Sequence, residues 1–300
     1  MAVVKVENLT KDFGHGRGIF NVNFEIQKGE VFGFLGPNGA GKSTTIRHLM
    51  GFTKPGHGRV EINGFDCTNK PQEVMKHVGY LPGEIALPEE MSGQQFIKMM
   101  KKMRGVKDDS YLNHLLTTFE LTPKGSLKRM SLGEKRKLAV VVAFMTDPDI
   151  LILDEPTSGL DPVMQEKFIQ FMVEEKQRGK TILLSSHIFP EIEATCDRIA
   201  IIKEGKIVAR VDATNIKNDN QKTYQLGFSS SKDLNLALEK FQDAELISSL
   251  CLEIKVVTSK LTEFFKQLRS LKIASINEKR FDLEKYFLDF YRSDRVFEEI

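Results

Sequence analysis

An unbroken apolar run at residues 31–35 feeds directly into Gly36, Pro37, Asn38, Gly39, Ala40, Gly41, Lys42 and Ser43, and residues 44–50 continue with the pattern of a helix. The octapeptide matches G-x-x-x-x-G-K-[ST] in the context that motif needs, a buried strand before it and a helix after it. Its glycines let successive backbone N–H groups turn inward around an anion. The helix N-terminus adds its partial positive charge at the same spot. Lys42 then reaches β- and γ-phosphate oxygens, Ser43 offers a hydroxyl to Mg2+, and Thr44 continues the loop into the helix. In this context the match outweighs the alternative of an ordinary glycine turn.

A second signal agrees with the first. Residues 150–155 read Ile-Leu-Ile-Leu-Asp-Glu, a buried strand ending in two carboxylates. A carboxylate at the carboxyl end of a parallel strand points into the crevice where ligands bind. Asp154 is placed to hold Mg2+ through a water. Glu155 is placed to polarise a water attacking the γ-phosphorus. Lys42 and Asp154 lie 112 residues apart, far more than in small GTPases. The stretch Asn69-Lys70-Pro71-Gln72 lacks the Asp that guanine recognition requires.

Periodicity organises the rest of the chain. Residues 3–7, 22–26 and 60–62 read as strands, with Asn63-Gly64 as a turn. From about 88 to 142 the pattern is helical. Phe96, Met99, Met100 and Met103 form a stripe, read as core or interface packing rather than a cofactor site. Strands return at 150–154, 181–185 and 199–202, with helices near 162–178 and 189–196 between them. That alternation implies a parallel α/β sheet. Gly205 turns the chain into a strand at 206–211. Residues 214–222 are polar, as in a linker. Beyond them, strands near 223–228 and 251–257 and helices near 233–241, 260–270 and 282–291 make a small α+β appendage.

Charge and apolar runs exclude several classes. Lys and Arg number 43 against 41 Asp and Glu, and residues 215–300 alone hold 14 of each sign, so neither half is a basic nucleic-acid arm. The longest apolar run, residues 138–145, falls far short of the roughly 20 residues a membrane span needs. The N-terminus has no secretory apolar region. Cys67, Cys196 and Cys251 show no metal or disulfide spacing. A cytoplasmic location is expected.

Ser131-x-x-Glu134 is a capping box opening a helix at 134–145, and such a helix start is also an anion site. Together with the phosphate loop and the acid pair, Met130-Ser-Leu-Gly-Glu-Lys-Arg-Lys137 resembles the L-S-G-G-Q signature of ABC transporter nucleotide-binding subunits. The resemblance covers residues 3 to about 235. It implies an α/β fold: a P-loop NTPase core with a mainly parallel sheet, an N-terminal antiparallel β subdomain and a helical subdomain at about 88–142. It also implies domains at 1–213 and 223–300 joined by the linker 214–222. In the family, Ser131, Leu132, Gly133 and Glu134 would meet the γ-phosphate of ATP bound to the opposite subunit, in a head-to-tail dimer with two ATP molecules between subunits. Leu132 and Glu134 depart from the consensus Gly and Gln, and weaker ATP-driven closure is expected from them.

Ser158-Gly-Leu-Asp161 resembles the loop that contacts the dimer partner. His187 resembles the switch histidine that bonds the γ-phosphate and supports Glu155. Phe13 sits where the family stacks an aromatic ring on adenine. The other histidines, His15, His48, His57, His77 and His114, read as structural. In Val78-Gly-Tyr-Leu-Pro-Gly-Glu84 the family's Gln after Pro82 is replaced by Gly83, with Glu84 next as a candidate oxygen ligand. The last helix resembles the tail of drug-export ATPase subunits.

The resemblance implies an ATP-hydrolysing subunit using ATP and Mg2+ to drive export. It would sit in the cytoplasm, peripheral on the inner face of the cell membrane. Its partners would be separate membrane-spanning permease subunits and a second ATPase subunit, with no nucleic acid. Lys98, Lys101, Lys102 and Arg104 would face the membrane partner. Two other readings lack their expected features. A non-transport ABC ATPase acting on nucleic acid or ribosomes would need a coiled-coil insertion or a second phosphate loop. A small-molecule kinase would not need the Ser131 signature or His187.

Overall fold

The computed structural model describes residues 1–213, 221–241, 243–279, 283–284 and 287–288. The chain divides into two compact units, Met1–Ala213 with Phe287–Ile300, and Thr214–Tyr286. Most of the expected linker 214–222, and all but a few residues of the expected helix at 282–291, lie outside the described residues.

The first unit begins with β1 (Ala2–Gly14) and β2 (Arg17–Gln27), a long antiparallel hairpin, where the sequence reads only two five-residue strands. Register shifts along the pair break the apolar alternation at its ends, which hides the full length from a periodicity reading. β3 (Val31–Leu35) and α1 (Lys42–Leu49) flank the glycine-rich loop. β4 (His57–Ile62) and β5 (Phe65–Asp66) close on a turn in which Asn63 and Gly64 both have positive φ, 50° and 75°. These outer strands pair in the order β2-β1-β4-β5, the N-terminal antiparallel sheet.

Next come α2 (Pro71–His77) and β6 (Val78–Leu81), then the helical excursion of α3 (Gly93–Arg104), α4 (Ser110–Thr118) and α5 (Leu132–Phe144). Backbone bonds tie the base of the excursion: Gly93 N–H to Gly125 O (3.0 Å), Gln94 N–H to Pro123 O (2.7 Å) and Leu127 N–H to Met91 O (2.9 Å). The methionine stripe runs along α3, where Ile97 is the buried anchor and Met103 is 72% exposed. Arg104 differs from its expected outward role. Its guanidinium is half-buried and donates to Met75 O at 2.7 Å, tying α3 to α2.

β7 (Ile150–Asp154), α6 (Pro162–Gln177), β8 (Thr181–Ser186), α7 (Phe189–Thr195), β9 (Arg198–Lys203) and β10 (Lys206–Asp212) complete the core. The central sheet runs β10-β9-β3-β8-β7-β6, parallel except for the β10 edge. Every residue of β3, β7 and β8 is buried, as expected for strands covered on both faces. Burying each large aliphatic side chain there contributes roughly 1.5–3 kcal/mol. Register then places the site: Leu35 pairs with Ser186, and Asp154 with Ser185. Three adjacent strands therefore end side by side, and the loops leaving them converge at that edge.

The second unit runs β11 (Gln221–Phe228), α8 (Ser231–Lys240), β12 (Glu245–Ser248), β13 (Cys251–Val257), α9 (Leu261–Leu268) and β14 (Ile273–Lys279). The sheet order β12-β13-β11-β14 is wholly antiparallel, the split β-α-β arrangement. Tyr224, Leu226, Phe228, Leu252, Ile254 and Val256 pack against Leu234, Ala237, Phe264 and Leu268 from the helices.

Candidate functional site

The loop between β3 and α1 is shaped by backbone that only glycine adopts easily. Gly41 has φ of 112°, and a Cβ there would stand 2.7 Å from Ile19 Cγ2. The loop delivers Lys42 to the base of the site, 5% exposed. Its Nζ donates to Gly36 O at 2.5 Å and Pro37 O at 3.2 Å, and stands 3.0 Å from Glu155 Oε1. Ser43 is exposed at the first turn of α1.

Glu155 comes directly after β7 with φ of 50°. A non-glycine residue in this region costs about 1–2 kcal/mol. Its N–H donates to Ser185 O at 2.9 Å, which holds the turn. Its Oε2 accepts from His187 Nδ1 at 2.6 Å. Its Oε1 is buried without an aligned hydrogen-bond donor, although the Lys42 ammonium is at ion-pair distance. Lys42, at the start of α1, and His187 thus meet on one carboxylate, Glu155.

Asp154 is buried beside them, and its Oδ1 accepts from Ser185 Oγ at 2.6 Å. On the other side lies Gly83, where a Cβ would stand 3.0 Å from Asp154 Oδ2. Gly83 therefore does more than delete a side chain, because it leaves Oδ2 uncrowded. Glu84, the suggested substitute ligand, is exposed.

Ser131 caps α5 with the expected capping box. Its Oγ accepts from Glu134 N–H at 3.2 Å, and Glu134 Oε2 accepts from Ser131 N–H at 2.9 Å and from Ser131 Oγ at 2.9 Å. The backbone and hydroxyl of Ser131 hold the Glu134 carboxyl below its ordinary pKa, so its charge stays on the cap. Leu132, 62% exposed, lies over Gly159, and a Cβ on Gly159 would meet Leu132 Cδ2 at 2.9 Å. Gly133 faces Gly159 O at 3.3 Å from its would-be Cβ. Asp161 is the N-cap of α6, accepting from Met164 N–H at 3.0 Å. Phe13, near the end of β1, is 56% exposed, and Lys11 Nζ is 5.9 Å from its ring centroid.

Two further buried groups have roles that the sequence reading does not assign. Arg136, in α5, donates to three backbone carbonyls on two loops. Glu191, in the first turn of α7, accepts from Ser186 Oγ at 2.5 Å and Thr157 Oγ1 at 3.4 Å, while its Oε1 has no hydrogen-bond partner. Ser186 Oγ in turn accepts from Ile188 N–H at 3.0 Å, so Glu191 braces the segment around His187.

Burial lifts the Glu191 carboxyl from 4.5 to about 7, and the Glu155 charge pushes the same way. The unfolded chain ionises this group near 4.5, so between about pH 4.5 and 7 the folded state holds the extra proton. Stability falls as pH rises through that window and levels off above it. Glu191→Gln is expected to remove this slope. By pH 8 it recovers stability on the order of 3 kcal/mol relative to wild type, read as melting temperature against pH. Parallel curves for the two proteins would show that Glu191 is ionised throughout.

Residues 19–158 match the family described as ABC transporter. The chain is 30% identical to the uncharacterized ABC transporter ATP-binding protein YcbN of Bacillus subtilis, over 98% of each chain. It is 31% identical to the bacitracin transport ATP-binding protein BcrA of Bacillus licheniformis, over 80% of each. A solved dimeric ATP-binding cassette in a post-hydrolysis state, bound to ADP and Pi, shares the fold at 24% identity and a TM-score of 0.62, covering 70% of this chain and 98% of that one. Among the described residues no helix is long and apolar enough to cross a membrane. With the phosphate loop, the acid pair and the capped signature helix all present, the chain belongs to the ATP-binding, ATP-hydrolysing subunits of ABC transporters.

Proposed function

We propose that the chain powers an exporter by hydrolysing MgATP in a site that two copies complete together. The contact of Lys42 and His187 with one carboxylate, Glu155, carries this reading. In it, residues 36–44 wrap the phosphates and Phe13 stacks on adenine. Glu155 takes the proton of the attacking water, and His187 orients Glu155 and bonds the γ-phosphate. Ser131, Leu132, Gly133, Glu134 and Asp161 face the nucleotide held by the other copy.

The residues present fit Mg2+. The Ser43 hydroxyl and Asp154 Oδ2, left open by Gly83, are hard oxygen donors, and two such ligands suit an ion whose shell is completed by phosphate and water. When bound, the ion neutralises charge on the β- and γ-phosphate oxygens.

Residues 1–213 form the ATPase domain, with 88–142 as its helical subdomain. Residues 214–222 link it to the accessory domain 223–300. The exposed side chains Lys98, Lys102 and Met103 on α3 present a docking face to a separate membrane-spanning subunit. The chain then sits in the cytoplasm on the inner face of the membrane. The bacitracin transport relative supports transport as its role.

Co-expression tests this. With the multispanning protein encoded by a neighbouring reading frame, the chain is expected to move to the membrane fraction and to co-purify with that protein in detergent. A chain that stays in the soluble fraction with every such candidate contradicts the transport reading.

A further inference from the structure

Arg136 lies five residues beyond the Ser131 cap, on a helix whose later residues are nearly all apolar and buried. Arg136 is 3% exposed. Nε donates to Ser158 O at 2.9 Å, Nη1 to Pro82 O at 3.0 Å and Nη2 to Gly83 O at 2.7 Å. All three acceptors are neutral carbonyls, so no local carboxylate explains the burial of a cation here. Burial holds its pKa below the ordinary arginine value, and the charges of Asp154 and Glu155 oppose that shift. A planar fork suits three fixed acceptors in a way that an ammonium does not.

The acceptors lie on the two loops that flank the acid pair. Gly83 rests against Asp154 Oδ2, with no side chain between them. Ser158 N–H donates to Glu155 O at 3.1 Å, so the third carbonyl belongs to the turn that Glu155 begins. From the same end of α5, Leu132 lies over Gly159. A shift of α5 is therefore passed to both carboxylates, through Pro82–Gly83 on one side and Ser158–Gly159 on the other.

We propose that Arg136 is a positioning residue that makes the geometry of Asp154 and Glu155 depend on the placement of the helix Ser131 begins. In this chain the link runs through the backbone of Gly83, where the family's glutamine is missing. It rests on the reading of Glu155 as the base and of Ser131 as a contact to the other copy's nucleotide. Closure of two copies around ATP then acts on the acid pair through Arg136. A lysine in its place keeps the charge but loses the three-way fork.

The test uses the full chain as wild type, Arg136→Lys, Arg136→Ala and Glu155→Gln. ATPase rate is measured against ATP concentration, and melting temperature with and without ATP. Misplacing reacting groups by a fraction of an ångström to 1 Å is expected to lower kcat of both Arg136 variants by about tenfold to a hundredfold. Their KM for ATP is expected to stay within about threefold, and the melting rise on adding ATP to be kept. A role in packing alone would instead lower the melting temperature and leave kcat of the folded variant intact.

If Arg136→Ala does not fold, Arg136→Lys decides by the same split. Either variant folded with kcat within about twofold of wild type overturns the proposal, as does a parallel loss of kcat and ATP binding. Wild-type turnover in Glu155→Gln overturns the reading beneath it. Lost turnover there with intact turnover in the Arg136 variants removes the Arg136 proposal alone.

Discussion

Glu155→Gln is expected to lower kcat by about a hundredfold or more while ATP affinity stays within about threefold. The amide has the shape of the carboxylate and still accepts from His187 Nδ1, now 2.6 Å from Glu155 Oε2. It keeps the turn at φ of 50° that the N–H bond to Ser185 O holds. It lacks only the basicity to take a proton from water. Lys42 Nζ, 3.0 Å from Oε1, neutralises the carboxylate in the arrangement seen here. An incoming phosphate competes for that ammonium and frees Oε1, which has no aligned donor of its own. In the proposed mechanism nucleotide binding therefore prepares the base, and the variant is expected to bind ATP, fail to turn over and accumulate as the ATP-bound dimer. Stopped turnover with retained binding of a fluorescent ATP analogue checks this. A wild-type rate would remove Glu155 from its role.

Ser131→Arg is expected to reduce ATPase activity to about a hundredth or less, with ATP binding to the single chain unchanged. Two effects combine. Loss of the cap that accepts from Glu134 N–H costs about 1 kcal/mol of stability, a shift of a few degrees in melting temperature. The larger effect is steric: in the proposed dimer, a long side chain at this exposed helix start occupies the place of the other copy's phosphate. Because Lys42, Glu155 and His187 are untouched, ATP still raises the melting temperature of the variant. Intact ATPase activity in a folded Ser131→Arg protein would mean that each chain works alone.

How much of this was legible in the sequence depended on locality. β3 and β7 are apolar runs and β8 has an apolar centre closed by Ser185 and Ser186, each ending in a distinctive residue set, so their existence and the groups they deliver were readable. The capping box at Ser131 was readable because both partners lie three residues apart. α2 and β6 were not. His77 ends the helix and Val78 starts the strand with no glycine or proline between them. β12, four exposed residues on a sheet edge, shows no alternation, and β14 at the opposite edge shows little. The appendage could be read as α+β, but its strand order required the pairings. Gly83 read as damage to a motif, and its contact with Asp154 Oδ2 emerged only across 71 residues of chain. Arg136 sits inside the signature-like stretch, yet its own role had no signal, since its acceptors lie 53, 54 and 22 residues away. Arg104 was misplaced for the same reason, its partner Met75 being 29 residues distant.

The composite site is tested most directly by complementation. Lys42→Ala removes the phosphate lysine from a chain whose Ser131 helix is intact, and Ser131→Arg does the reverse. Each variant alone is expected to be inactive. In a head-to-tail dimer of the two, one site combines the intact Lys42 loop of one chain with the intact Ser131 of its partner. An equimolar mixture, assayed for phosphate release, is then expected to recover up to about a quarter of wild-type activity, since half the dimers are mixed and each holds one good site of two. A mixture as inactive as its components, from variants shown to be folded, would contradict a site shared between two copies.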